Sequence, residues 1–197
     1  MLGRGSAIPI GVWALRAEGK AAEIKIMDES NRKPNVRVAL PADAEVIAAM
    51  AAELAAAVKD PRPDFDAARF IRDGFGPDRW FECLIAEIEG QPVGYALMCR
   101  GFEAHTGKRR LWLGDLYVRA VARRGGAGRS LMAAVASRAL ELDCEAVYWE
   151  LWRPNALGKA FYERLAAEEA ADLAVMRLGG ERLSAAAQPP GAGDRRR

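Results

Sequence analysis

Apolar positions along this chain recur with two different periods, and the two alternate between residues 36 and about 183. Ile47, Met50, Ala51, Leu54 and Val58 fall three and four residues apart, the spacing of one helix face, and predict a helix over 43–58. Asp43 and Glu45 stand near its start, where the helix dipole favours negative charge. A second stripe of Leu131, Met132, Val135, Ala139 and Leu142 predicts a helix over 126–142. A short helix runs through Phe70 and Ile71 and closes at Gly74, and another spans 155–166. Apolar runs at 36–40, 81–88, 92–99, 111–118, 147–152 and 173–178 read as strands. The turn Glu89-Gly90-Gln91 joins the second and third of these as a hairpin. This order predicts an α/β chain with a mixed sheet, antiparallel strands first and a β-α-β-α-β run after them.

The two ends follow neither period. Residues 1–35 mix small, apolar and charged residues up to a turn-rich stretch ending in Pro34 and Asn35, and read as an N-terminal extension. Residues 184–197 hold Pro189, Pro190, Gly191, Gly193 and three terminal arginines, the composition of a disordered tail. That leaves 36–183 as one domain. With 51% hydrophobic and 28% charged residues the 197-residue chain has a globular balance, and its net charge of +2 argues for neither a nucleic-acid nor a membrane partner. No apolar run approaches the roughly 20 residues that span a bilayer. The stretch 7–15 is broken by Pro9 and Gly11 and followed by Arg16, so it does not read as a secretion signal. Cys83, Cys99 and Cys144 are odd in number and form no C-x-x-C pair, which predicts free thiols in a reducing cytoplasm. His105, the only histidine, lies in a polar stretch; a multi-histidine metal site is excluded and no metal is expected.

The chemistry concentrates after the strand at 111–118. There Leu113-Gly114-Asp115-Leu116-Tyr117-Val118 runs into Arg123-Arg124-Gly125-Gly126-Ala127-Gly128-Arg129, a glycine-rich turn that opens a long helix. Glycines let a backbone approach a ligand closely, and a helix start presents unpaired N–H donors with a favourable dipole, so the combination suits an anion. From Leu116 to Leu140 there is no Asp or Glu, while Arg119, Arg123, Arg124, Arg129 and Arg138 all fall there. In a nearly neutral chain that clustering points to a phosphorylated ligand.

Arg123-x-x-Gly126-x-Gly128 resembles the pyrophosphate loop of the GNAT acetyltransferase superfamily. It lacks the Gly-Lys-[Ser/Thr] of a P-loop and the three-glycine spacing of a dinucleotide fingerprint. Asn155-Ala156-Leu157-Gly158-Lys159-Ala160-Phe161-Tyr162 resembles the family's Asn-x-x-Ala-x-x-x-Tyr segment, with Gly158 in place of the usual small residue. Asp73-Gly74-Phe75-Gly76, the run from Phe81 to Glu87, and Asp115-Leu116-Tyr117-Val118 are similar to the diamine (spermidine/spermine) and thialysine N-acetyltransferase branch.

The resemblance implies a GNAT fold and a cytoplasmic N-acetyltransferase that carries an acetyl group from acetyl-CoA to a small-molecule primary amine. It also implies a homodimer. Leu116, Tyr117 and Val118 would line the cofactor arm with backbone groups. The main chain of Arg124, Gly125, Gly126, Ala127, Gly128 and Arg129 would wrap the pyrophosphate, with charge from Arg123 and Arg129. Asn155 would touch the arm, and Tyr162 would be the general acid. Asp115 is the candidate for proton relay or amine binding. The branch's acidic neighbour of this aspartate is here Gly114, and Glu82, Glu87 and Glu150 are the other acidic residues able to contact an acceptor. Trp149 and Trp152 are candidates for its pocket wall. Acetylation of protein N-termini or lysines, and a noncatalytic acyl-CoA-binding module, remain open at this stage.

Overall fold

The structure, a computed structural model, describes residues 33–60, 64–171 and 173–188. Most of the expected N-terminal extension and residues 189–197 of the expected tail lie outside these residues, while 184–186, expected to be disordered, are helical. Five strands form one sheet in the order β1-β2-β3-β4-β5: β1 Asn35–Val38, β2 Glu82–Ile88, β3 Gln91–Glu103, β4 Lys108–Val118 and β5 Cys144–Trp149. Neighbours from β1 to β4 are antiparallel, and β4 and β5 are parallel. Parallel neighbours need a crossover, which helix α3, Ala127–Glu141, provides.

The sheet is covered on both faces. Helices α1, Ala44–Ala57, and α2, Ala67–Phe75, lie on one face, where Ile47, Met50 and Phe70 pack against Cys83, Ile85, Tyr95 and Tyr117. Helix α3 lies on the other, with Leu131, Val135 and Ala139 against Leu84, Ala96, Met98, Leu111 and Leu113. The two helical stripes legible in the sequence are these buried faces. Arg37 clasps the β1 end of the first layer, donating to Asp43 at 2.7 and 2.9 Å and to Glu87 at 2.7 Å. Asp43 also accepts from the Leu40 N–H at 2.7 Å, and the guanidinium holds its carboxyl below the usual range.

Several boundaries differ from the sequence expectation for physical reasons. Helix α2 does not close at Gly74 but runs through it to Phe75. A Cβ at 74 would come within 2.7 Å of the Phe81 ring, so this glycine serves close packing rather than termination. Strand β5 begins at Cys144 and ends at Trp149, because its pairing with β4 runs only from Arg109↔Cys144 to Leu113↔Trp149. The strand expected over 173–178 is not formed: among the described residues no strand follows β5. Leu173, Val175, Met176 and Leu178 are all exposed there. Their apolar run supplies strand propensity, but a ladder also needs a partner. The segment leads instead to α5, Glu181–Ala186. No described helix is long and apolar enough to cross a membrane.

Candidate functional site

Beyond Leu113 the two parallel strands, β4 and the edge strand β5, part. β4 continues to Val118, whereas β5 stops at Trp149, so the upper part of β4 has a partner only in β3. At the point of parting, β4 carries a bulge. Met98 pairs with Leu113 and Leu97 with Asp115, which leaves Gly114 as the extra residue. The bulge resets the strand's alternation. Leu111 and Leu113 pack with α3, yet Tyr117 belongs to the α1/α2 core and Leu116 and Val118 pack on the α3 side.

Asp115 therefore faces α1 and α2. The hydroxyl of Tyr95, a fully buried residue of β3, donates to Asp115 Oδ2 at 3.1 Å. Burial pushes the Asp115 carboxyl above its ordinary value, and the tyrosine hydrogen bond pulls the other way. The nearby thiols Cys83 and Cys99 are themselves pushed up by burial and by this carboxylate. Gly114 does not exclude a side chain outright. A Cβ there would meet Leu97 Cδ2 at 3.3 Å, the flexible end of a side chain on the same face as Asp115.

The glycine-rich turn follows at the end of β4. Arg124 has φ 67° and Gly126, which precedes the first residue of α3, has φ 90°. Such left-handed backbone is the reason for glycine at 126. Arg123 N–H donates to Ala120 at 3.3 Å, and the next main-chain donor that is used is Ser130, to Gly126 at 2.9 Å. Among the described residues no protein acceptor takes the N–H groups of Arg124, Gly125, Gly126, Ala127, Gly128 or Arg129.

The arginines of this region divide by partner. Arg124 and Arg129 form no ion pair among the described residues. Arg119 is bound to Glu53 of α1 at 3.1 Å, and Glu53 also accepts from the Tyr117 hydroxyl at 3.0 Å. Tyr117 thus sends its ring into the α1/α2 core and leaves only its main chain along the strand. Arg123 Nε donates to the Val118 carbonyl at 2.9 Å, with its guanidinium 5.9 Å from the Tyr117 ring. Arg138 does not belong to the cluster: it sits toward the other end of α3, paired with Glu82 at 2.7 Å and Glu141 at 3.0 Å.

Helix α4, Ala156–Glu163, sits against the start of α3. Phe161 lies where a Cβ on Gly128 would meet its ring at 3.4 Å. Asn155 caps α4, its Oδ1 accepting from Gly158 N–H at 2.9 Å. With Asn155 so placed, a Cβ at 158 would come within 2.5 Å of its Nδ2, so Gly158 and this cap go together. Two turns later, Tyr162 stacks on Trp149 with ring centroids 4.7 Å apart. Its hydroxyl has no hydrogen-bond partner among the described residues, and burial pushes it up to about 12. Because Trp149 packs with the α3 core, Tyr162 stands on the α3 side of the parting strands and Asp115 on the opposite side.

The other acidic and aromatic candidates sort accordingly. Glu82 accepts from Arg138 and Arg100, and Glu87 from Arg37, so both are committed to ion pairs away from the parting strands. Trp149 is a platform beneath Tyr162 rather than a wall beside Asp115, and Trp152 is exposed. Glu150 is exposed and unpaired among the described residues. Sequence reasoning missed Tyr95 and Glu53. Neither stands in a recognisable spacing, and each meets its partner only across the fold. Among the described residues no group of His, Cys, Asp or Glu is placed to hold a metal.

Comparison with known proteins identifies the family and the fold. Residues 47–167, more than half of the chain, match the family model described as Acetyltransferase (GNAT) family. An L-ornithine N5-acetyltransferase from Arabidopsis thaliana is 29% identical over 116 residues, covering 58% of this chain and 47% of that protein. A thialysine N-epsilon-acetyltransferase from Sus scrofa is 39% identical over 80 residues, covering 36% and 46%. The chain spans about half the length of these curated relatives. Among solved structures, ribosomal-protein-alanine N-acetyltransferase from Brucella melitensis biovar Abortus 2308 superposes with a TM-score of 0.62 at 26% identity, covering 73% of this chain and 98% of that one. An integron cassette protein from the mobile metagenome of V. cholerae gives a TM-score of 0.69 at 19% identity, over 80% and 99%.

Proposed function

We propose that this chain, which belongs to the GNAT acetyltransferase family, transfers an acetyl group from acetyl-CoA to the primary amine of a small molecule by direct attack in a ternary complex. The observation that carries this reading is the run of N–H donors from Arg124 to Arg129 that no acceptor takes among the described residues, with the Arg124 and Arg129 side chains likewise in no ion pair there, at the mouth of a split between parallel strands. A diphosphate needs such a concave set of donors. Leu116 and Val118 lie on the part of β4 that β5 leaves unpaired, where backbone groups would hold the cofactor arm, and Asn155 Nδ2 donates no hydrogen bond among the described residues. The Val118 carbonyl is taken by Arg123, so Arg123 would turn from it toward the phosphates.

Acetyl-CoA, when bound, supplies a thioester carbonyl to attack and a thiolate to leave. The remaining work falls to side chains. An alkylammonium near pKa ~10.4 must lose a proton before it can attack. Asp115, pushed up by burial, is the better base for that shift, and it faces the α1/α2 side from which an acceptor would enter. Tyr162, kept neutral by burial, stands on the other side and would protonate the departing sulfur. Placing acid and base on opposite faces of one split suits direct transfer between two substrates.

The names of the relatives support a small amine as acceptor. The reading predicts that acetyl-CoA in the micromolar range raises the unfolding temperature, and that thiol release from acetyl-CoA depends on an added amine. No thermal shift at millimolar acetyl-CoA would sink it. Cofactor binding without turnover on any member of an amine panel would reduce the chain to a binding module.

A homodimer belongs to the same reading. The outer edge of β5 pairs with no strand among the described residues, and the apolar side chains of 173–178 stand exposed near the end of the fold. Sedimentation equilibrium should return about twice the 21.4 kDa chain mass; a single-chain mass at all micromolar concentrations would refute the dimer.

A further inference from the structure

On the α1/α2 side of the split, the carboxylates are unequally committed. Trp112 and Tyr148 pair across β4 and β5, and the Arg110 guanidinium lies 4.5 Å over the Tyr148 ring. Their strand neighbours Leu111, Leu113, Val147 and Trp149 pack on the α3 side, so Trp112 and Tyr148 mark the opposite face. The bulge at Gly114 brings Asp115 to that face. β5 has no irregularity between Ala146 and Trp149. Continuing its alternation by one residue carries Glu150 to the face of Tyr148, level with Gly114 and Asp115 across the split.

Glu150 is exposed and engaged by neither hydrogen bond nor ion pair among the described residues. In contrast, Glu53, Glu87 and Glu103 are each held by an arginine, and Glu82 lies on the α3 face, held by Arg138. On the same face, opposite Tyr148, Trp112 is 39% exposed and, unlike Tyr148, has no cation over its ring among the described residues. An open indole face attracts an alkylammonium. A carboxylate and an open aromatic ring, both on the face of the proposed base, favour the same kind of ligand.

We infer that Glu150 is the specificity residue of the acceptor site: it binds a second cationic group of the acceptor and supplies, from β5, the carboxylate that Gly114 withholds from β4. This rests on the acetyl-transfer reading above. Asp115 takes the proton from the reacting amine. Glu150 holds the far ammonium, so dibasic amines are preferred over their monobasic analogues. An exposed carboxylate is screened by water, which limits the effect to about one order of magnitude in affinity.

The probes are 1,4-diaminobutane and 1-aminobutane, with acetyl-CoA as donor. The wild-type chain should show a KM about tenfold lower for the diamine. Glu150→Gln should remove that difference by raising the diamine KM about tenfold, leaving kcat and the acetyl-CoA KM within twofold. Gly114→Glu added to Glu150→Gln should recover part of the diamine preference, since Leu97 can yield at that position. A wild type that treats the two amines alike, an unchanged diamine KM in Glu150→Gln, or an equal kcat loss on both amines overturns the inference while leaving acetyl transfer intact. If wild type and Asp115→Asn are alike in releasing no thiol with either probe or any other amine, the transferase reading fails, and the role of Glu150 with it.

Discussion

Tyr162→Phe is expected to lower kcat by about a hundredfold or more while leaving the acetyl-CoA KM nearly unchanged. The substitution removes one oxygen and keeps the ring that stacks on Trp149 and touches Phe161, so neither the seat of α4 nor the capped Asn155 should move. What is lost is a proton donor that no group among the described residues engages. A thiol departing at a pKa near ~8.5 needs only a modest acid, and a phenol held protonated by burial supplies it across the neutral range. The sign of the pH dependence follows. A hydroxyl pushed up to about 12 stays protonated well above neutrality, so Tyr162 contributes no alkaline limb to kcat below pH 11. Steady-state kinetics of the variant decide the matter. An unchanged kcat removes Tyr162 from the chemistry, and a raised acetyl-CoA KM with kcat intact makes it a binding residue only.

Gly126→Leu is expected to weaken acetyl-CoA binding by at least a hundredfold and to abolish the thermal protection it gives. The backbone at 126 holds φ 90°, which a leucine adopts only at about 1–2 kcal/mol. Space for the side chain is not the obstacle, since an added Cβ meets only Pro34, at 3.9 Å. The fold should therefore survive. Two outcomes are open to the turn, and both spoil it. Either it keeps its path and carries a bulky side chain into the run of N–H donors, or it relaxes and the donors diverge. Calorimetric titration, with circular dichroism as a check on folding, separates lost binding from lost structure. Wild-type affinity in a folded variant would show that the diphosphate does not sit on these donors.

Much of this was legible before any coordinates. The stripe from Ile47 to Val58 and the stripe from Leu131 to Leu142 are local patterns with a single geometric meaning, and both appear as buried helix faces. The hairpin at Glu89-Gly90-Gln91 is likewise a local signal, seen as the turn between β2 and β3. The motifs around Gly126 and Asn155 led to the family because their residues lie close together in sequence. Other features misled in isolation. Gly74 reads as a helix stop, yet it is a contact point for Phe81. Arg138 reads as part of the phosphate-binding cluster, yet α3 carries it two to three turns away to Glu82. The run at 173–178 has the apolar content of a strand but forms none among the described residues.

The chain alone determined that two amphipathic helices and several short strands form, that a glycine-rich turn opens the longer helix, and that arginines gather there without acidic neighbours. Each of these depends on residues within a few turns of one another, where spacing dictates geometry. Only the tertiary structure decided that β4 bulges at Gly114, that Asp115 consequently meets Tyr95, and that Tyr162 stands across the split from it. It alone also decided which carboxylates are neutralised by distant arginines and which are left open. Those outcomes depend on strand register and on partners 20 to 66 positions apart. A one-residue slip there exchanges the two faces of the sheet, and no local pattern encodes it.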